Sequence, residues 1–210
     1  MKITGAIFDA DGTLFDSMFV WEGLIENFLI SKGIKPDEKI SEEARKMYLK
    51  ESVSFLSEKH NLDNSGDKVY EDMIKFLGDL YKNALPKDGV LEFLKLLESK
   101  NVKMCIATSS EKSLIKKMLI NNSLDRFFEF IITSDEVGSS KHSPKIFNDA
   151  AEILGTNKAS TYVFEDTAFA AETAKKAGFN VCGIFDAHEK NQNLLIKNSD
   201  IYIKSFYELL

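Results

Sequence analysis

The sequence predicts an α/β protein: a doubly wound parallel sheet of Rossmann-like kind, with an all-helical cap inserted after the first strand. Three observations carry this. From Leu85 onward, short apolar runs alternate with helical patterns. These runs are apolar throughout rather than at every second residue, as in strands buried on both faces. Between residues 16 and 83 no stretch reads as a strand, and the apolar residues follow a helical period. The expected organisation is a core of residues 1–15 and 85–210 and a cap of residues 16–84. The hinges fall near Leu14–Ser17 and Asn83–Lys87.

The first strand is read from Ile3 to Phe8. In the cap, Trp21, Leu24, Ile25, Phe28 and Leu29 recur at i, i+3, i+4, i+7 and i+8, with Gly33 as a stop. Asp16 is expected to cap this first helix. Ser41-Glu42-Glu43 opens a second helix and "SVSFLSEKHNL" suggests a third. Tyr70, Met73, Ile74, Leu77 and Tyr81 trace a fourth. In the core, Asp88 is expected to cap a helix carrying Val90, Phe93, Leu94 and Leu97. The strand "VKMCIAT" follows, and then a helix capped by Ser110. "FEFIIT" is read as a strand, and Ser143-Pro144 starts a helix that Gly155 stops, since proline at the first helical position loses no N–H bond. The strand "STYVFED", the helix "TAFAAETAKKAG", the strand "NVCGIF" and the short strand "DIYIK" complete the chain.

With 210 residues, 44% of them hydrophobic, the chain can bury a core without disulfide or metal support. Its two cysteines, Cys105 and Cys182, each lie inside an apolar run and read as buried thiols. A net charge of −6 weighs against binding nucleic acid. Asp9 interrupts the start before any signal-peptide core, and no apolar run reaches membrane-spanning length. A cytoplasmic protein that engages no membrane is expected. Oligomeric state is left open, and a monomer is allowed.

In open α/β sheets, ligands bind beyond the carboxyl ends of the strands. The first strand ends at Asp9, with Asp11 close behind. "VKMCIAT" ends at Thr108 and Ser109. Asp135 and Glu136, then Lys141, follow "FEFIIT", and "TYVF" runs into Glu165 and Asp166. So many carboxylates at one edge would repel each other unless a cation joined them, and hard oxygen ligands suit Mg²⁺. A carboxylate can attack phosphorus to form an aspartyl-phosphate, while a lysine and a hydroxyl hold the phosphoryl oxygens. A second carboxylate can protonate the leaving alkoxide and then activate water. Gly12 permits a tight turn, and Thr13 can bond back into it. Each piece alone has an ordinary reading. Asp-x-Asp-Gly-Thr could be a turn, Thr108-Ser109-Ser110 a cap, Lys141 a surface lysine and Glu165-Asp166 a helix start. Four such pieces in order, each at a strand end, have few ordinary explanations.

With these residues in place, the chain resembles the haloacid dehalogenase superfamily of phosphohydrolases. "DADGT" is similar to its first motif, "ATSS" to its second, Lys141 in "SKHSPKIF" to its third and "VFEDT" to its fourth. The inserted helices resemble the cap of the β-phosphoglucomutase-like branch. The resemblance implies Asp9 as nucleophile and Asp11 as general acid and base. It implies Mg²⁺ held by the Asp9 carboxylate, the Asp11 backbone carbonyl and Asp166, with Glu165 assisting. It implies Thr108 and Lys141 as phosphate-binding residues, and Ser109, beside Thr108 at the same strand end, is a further phosphate-binding candidate. Two departures stand out: His142 follows Lys141 where the family often has proline, and Ala170 replaces a glycine. Trp21 stands where β-phosphoglucomutases have a histidine, and the cap stretch "LKESVS" carries Lys50 but no arginine. Trp21 and Lys50 are candidate substrate contacts; packing for Trp21 and solvation for Lys50 are the alternatives. His60, His142 and His188 have no metal-ligand spacing. The expected function is a Mg²⁺-dependent phosphatase acting on a small phosphorylated metabolite. A phosphomutase with the same core is the alternative, and an aspartate-phosphorylated signalling module is a third reading.

Overall fold

The computed structural model describes residues 3–47, 49–62 and 66–210. In chain order the strands are β1 (Gly5–Phe8), β2 (Phe15–Asp16), β3 (Leu85–Pro86), β4 (Lys103–Thr108), β5 (Ile131–Thr133), β6 (Thr161–Glu165), β7 (Asn180–Ile184) and β8 (Ile201–Ile203). The helices are α1 (Leu24–Ser31), α2 (Glu38–Ala44), α3 (Leu49–His60), α4 (Gly66–Leu80), α5 (Val90–Ser99), α6 (Lys112–Asn121), α7 (Ser134–Val137), α8 (Lys145–Leu154), α9 (Ala168–Lys176) and α10 (Gln192–Asn198). Two compact units emerge. One combines Met1–Met18 with Ala84–Leu210, and the other is Phe19–Asn83.

The first unit is built on a parallel six-stranded sheet of order β5-β4-β1-β6-β7-β8. β1 lies between β4 and β6, and all four of its residues are buried. Alternate side chains of a strand face opposite ways, so β1 feeds two cores. Ile7 joins Phe147, Ala150, Val163, Ala171 and Val181 under α8 and α9. Phe8 faces the other side, stacks on Phe164 with ring centroids 4.3 Å apart and meets Phe93 and Phe128 edge-on. From β1 the strands in sequence order run outward through β4 to β5, and then return to β6 on β1's other side. That reversal is the switch point where such sheets leave a crevice.

A second, two-stranded sheet pairs β2 with β3 antiparallel, Phe15 opposite Pro86 and Asp16 opposite Leu85. The Lys87 N–H extends it by donating to the Leu14 carbonyl at 2.9 Å. Both segments joining the first unit to the second begin here. The second unit holds α1–α4 around Phe28, Leu29, Val53, Leu56, Met73 and Leu77, with Phe28 edge-on to Phe76. No helix among the described residues is long and apolar enough to cross a membrane.

Several local expectations need correction. Asp16 does not cap a helix: it is exposed in β2, and α1 begins only after Gly23 at φ 62°. Trp21 consequently sits in the turn ahead of α1. α2 starts earlier than Ser41, because the Asp37 carboxylate accepts from the N–H groups of Lys39 and Ile40. Asp88 offers its carbonyl to Phe206 and Ser205, and Gly89 takes the capping position of α5. Only Ile131–Thr133 of "FEFIIT" pairs as a strand. α10 escaped the pattern because its polar, asparagine-flanked stretch has a single buried residue, Leu195.

Candidate active site

The site is built at the carboxyl end of β1. Asp9 extends the strand by one residue, its N–H donating to the Phe164 carbonyl of β6 at 3.0 Å. The chain then turns back. Leu14 and Phe15 both donate to the Ala10 carbonyl, and Gly12 donates to the Phe15 carbonyl at 2.9 Å. Gly12 has φ 73°, and an added Cβ would stand 2.3 Å from Asp166 Oδ2. Glycine is therefore required twice, by the left-handed backbone and by the close approach of the β6 turn. Thr13 does not bond back into its own turn: its hydroxyl donates to Asp166 Oδ1 at 3.0 Å. A side-chain bond thus ties the loop after β1 to the loop after β6.

Lys141 is the centre of charge. Its side chain is 5% exposed, and its ammonium donates to Asp9 Oδ1 and, at 2.5 Å, to Glu165 Oε1. Thr167 steadies the far side of Glu165, its hydroxyl donating to Oε2 at 3.1 Å. Asp9, Glu165 and Asp166 each bring a carboxylate oxygen to within 4.8 Å of the others. One ammonium among three buried carboxylates leaves a surplus of negative charge. Burial pushes the Asp9 carboxyl up to about 7 against the pull of Lys141, with Glu165 and Asp11 adding to the rise. Burial and the charges of Asp9 and Glu165 also raise Asp166 well above the usual carboxylate range. Burial alone would lower Lys141, but Asp9 and Glu165 outweigh it and hold the ammonium charged.

Asp11 stands apart from this cluster in its bonding. Ser17 donates to its Oδ1 at 2.6 Å, and Ser110 donates to its Oδ2. Two carboxylates two residues apart thus sit in different environments: Asp9 against an ammonium, Asp11 between two hydroxyls. Ser110 was read as a helix cap, but α6 begins at Lys112 after Glu111 with no side-chain cap. Thr108 is buried at the end of β4, and its hydroxyl oxygen accepts the Ser110 N–H at 3.0 Å. Ser109 is exposed and shares a hydrogen bond with Ser134.

Glu136 does not join the cluster. It closes a capping box with Thr133 and pairs with Lys112 at 2.6 Å, while Asp135 is exposed. Trp21 and Lys50 belong to the second unit, where the Lys50 ammonium lies 6.0 Å from the centre of the Tyr70 ring. Sequence reasoning missed Ser17 as a partner of Asp11, and Thr167 as a partner of Glu165. Neither carries a local signal, since each is a single hydroxyl just after an acid, where a turn or a helix cap is the ordinary reading.

The residues fit a divalent cation. The donor set is entirely oxygen, as a hard ion such as Mg²⁺ prefers. Burial first, and then the neighbouring acids, raise Asp9 and Asp166, and the negative charge left after Lys141 is what such an ion would neutralise.

The family described as haloacid dehalogenase-like hydrolase matches residues 6–184. The chain is 28% identical over 176 residues to a phosphorylated carbohydrates phosphatase of Thermotoga maritima, covering 82% of this chain and 80% of that protein. It is 29% identical over 173 residues to a phosphoglycolate phosphatase of Aquifex aeolicus, again covering 82% and 80%. Among solved structures, a β-phosphoglucomutase of Clostridium difficile superposes with a TM-score of 0.73 at 21% identity, over 99% of this chain and 93% of that one.

Proposed function

The chain belongs to the haloacid dehalogenase-like hydrolase family, and on that premise we propose that it is a Mg²⁺-dependent phosphatase of a small phosphorylated metabolite, a sugar phosphate or similar ester, working through an aspartyl-phosphate. The observation that carries this reading is the separation of the two acids of "DADGT". Asp9 lies in the Lys141 cluster, and Asp11 is held by Ser17 and Ser110. A nucleophile and a proton shuttle need such different surroundings. The sequence relatives whose names describe phosphatases of phosphorylated carbohydrates and phosphoglycolate support the substrate class.

In this reading Asp9 attacks phosphorus. The phosphorus–oxygen bond to the substrate alcohol breaks, and the departing alkoxide takes a proton from the Asp11 carboxyl. Asp11, now a carboxylate, removes a proton from water as that water attacks the aspartyl-phosphate. The bond from phosphorus to Asp9 breaks, inorganic phosphate leaves, and both acids return to their starting states. Lys141, Thr108, Ser109 and the N–H groups after Asp9 hold the phosphoryl oxygens. The carboxylates of Asp9 and Asp166, the Asp11 backbone carbonyl and Glu165 would hold the ion. When bound, Mg²⁺ supplies charge neutralisation for the transferring group. Trp21 and Lys50 are assigned to the substrate side.

The test is release of inorganic phosphate from p-nitrophenyl phosphate and from a panel of sugar phosphates, nucleotides and phosphoglycolate, with Mg²⁺. The wild type is expected to turn over at least one ester, and Asp9→Asn none. Mass spectrometry of the quenched enzyme is expected to find the phosphoryl group on Asp9. Equal turnover by wild type and Asp9→Asn defeats the reading. Isomerised sugar phosphate without net phosphate release would instead establish the phosphomutase.

A further inference from the structure

Beyond the catalytic cluster, the most completely bonded buried carboxylate among the described residues is Asp186, just past β7. Its side chain is 3% exposed. A buried charge is costly unless it is paired and fully bonded, and here every part of it is engaged. Lys87 Nζ donates to Oδ2 at 2.9 Å, and the backbone N–H of His188 donates to Oδ1 at 2.9 Å. The His188 ring nitrogen Nδ1 lies 2.9 Å from the same Oδ1. The Asp186 carbonyl accepts from Gln192 at 2.6 Å, and Lys87 also donates to the Phe185 carbonyl at 2.7 Å. Burial works to raise Asp186, yet these bonds hold it below the ordinary carboxylate range.

Both ends of this pair lead to the acids. Lys87 directly follows β3, and its N–H bonds to the Leu14 carbonyl in the loop that carries Asp11. β3 then pairs with β2, and Ser17, directly after β2, holds Asp11 Oδ1. A ladder of two residues on each side cannot fix its own register. Something outside it has to, and the Lys87–Asp186 pair anchors β3 to the main sheet. On the other side, Glu189 of the same loop accepts from the Ala168 N–H at 2.8 Å, two residues after Asp166. The loop after β7 therefore touches the support of Asp11 at one end and the Glu165–Asp166 turn at the other.

We propose that Lys87 and Asp186 are positioning residues for Asp11: they fix β3, against which the Asp11 loop and Ser17 are registered. This rests on the reading of Asp11 as proton shuttle. A pair that only stabilises the fold would affect all substrates alike. A pair that places the proton donor matters most when the leaving group needs a proton.

The test uses the full chain with Mg²⁺, enzyme in excess, and follows alcohol release in a single turnover. Two esters are compared: p-nitrophenyl phosphate, whose phenolate leaves without a proton, and an alkyl phosphate that the wild type cleaves. Lys87→Met and Asp186→Asn are expected to lose about tenfold or more on the alkyl ester and to stay within about twofold on the nitrophenyl ester. If Lys87→Met fails to fold because Asp186 is left unpaired, the double variant Lys87→Met/Asp186→Asn, which buries no charge, gives the same comparison. Equal losses on both esters, or no loss on either, overturn the proposal. A wild type inert on every ester overturns the phosphatase reading itself, and this inference with it.

Discussion

Ser110 donates its hydroxyl to Oδ2 of Asp11 from 99 residues further along the chain. Ser17, six residues after Asp11, holds the other oxygen at 2.6 Å. In the carboxylate that Asp11 becomes on proton transfer, each hydrogen bond to the charged group contributes about 1.5–3 kcal/mol, and about 1.4 kcal/mol corresponds to tenfold in rate. Ser110→Ala and Ser17→Ala are each expected to lower kcat by about tenfold with little change in KM. Steady-state kinetics on the best ester of the panel checks this, and an unchanged kcat in both variants would remove Asp11's supports from the mechanism.

Lys141 is the only cation bonded to Asp9 and Glu165 among the described residues. Lys141→Met leaves both carboxylates buried and unpaired. A stability loss of about 3–5 kcal/mol is expected, along with loss of turnover. The sign of its pH dependence is fixed. Unpaired buried carboxylates hold protons that the unfolded chain has already released, so the variant is more stable at low pH and weakens as pH rises. Urea unfolding of wild type and variant at acidic and at mildly alkaline pH measures it. A deficit that does not grow with pH contradicts the assignment.

Burial pushes the Asp9 carboxyl from its ordinary 3.8 up to about 7. Between those values the folded state keeps a proton that the unfolded state has lost. Its contribution to stability is therefore present at low pH and lost as pH rises through that window. A divalent cation competes with this proton. The rise in Tm on adding Mg²⁺ is expected to be larger near pH 8 than near pH 6. Asp166→Asn is expected to lose most of that rise. Thermal melts with Mg²⁺ or with EDTA decide it, and a rise independent of both pH and Asp166 would place the ion elsewhere.

Gly12→Ala meets two obstacles, a φ of 73° and an Asp166 oxygen 2.3 Å from the new Cβ. The left-handed backbone alone costs about 1–2 kcal/mol, and Asp166 has to move as well. A net loss of about 2 kcal/mol or more is expected, together with a weaker Mg²⁺ response. Denaturant unfolding with and without Mg²⁺ separates the two effects. A variant as stable as wild type would show that the loop relaxes freely.

Much of this site was legible because strands buried on both faces end abruptly. Asp9 and the Glu165–Asp166 pair each follow an apolar run, and a charge there marks the strand's end. Lys141 was found by its place after a strand, although the structure shortens that strand to Ile131–Thr133. Ser110 was misread for a physical reason. A serine just before a helical pattern has two uses for its hydroxyl, a backbone N–H or a distant acceptor, and local sequence does not distinguish them. Thr13 went the same way, bonding to Asp166, 153 residues on, rather than to its own turn.

By itself the sequence, although it missed α10 and the β2–β3 ladder, determined most of the alternating strands and helices of the core and which charged residues stand at strand ends. Those follow from local periodicity and from the cost of burying charge, and both act within a few residues. Only the tertiary structure decided the strand order that sets β1 between β4 and β6. Only it gave Asp9 to Lys141 and Asp11 to Ser17 and Ser110, and joined Lys87 to Asp186. Which hydroxyl meets which carboxylate depends on packing between segments about a hundred residues apart. No periodicity in one chain records it.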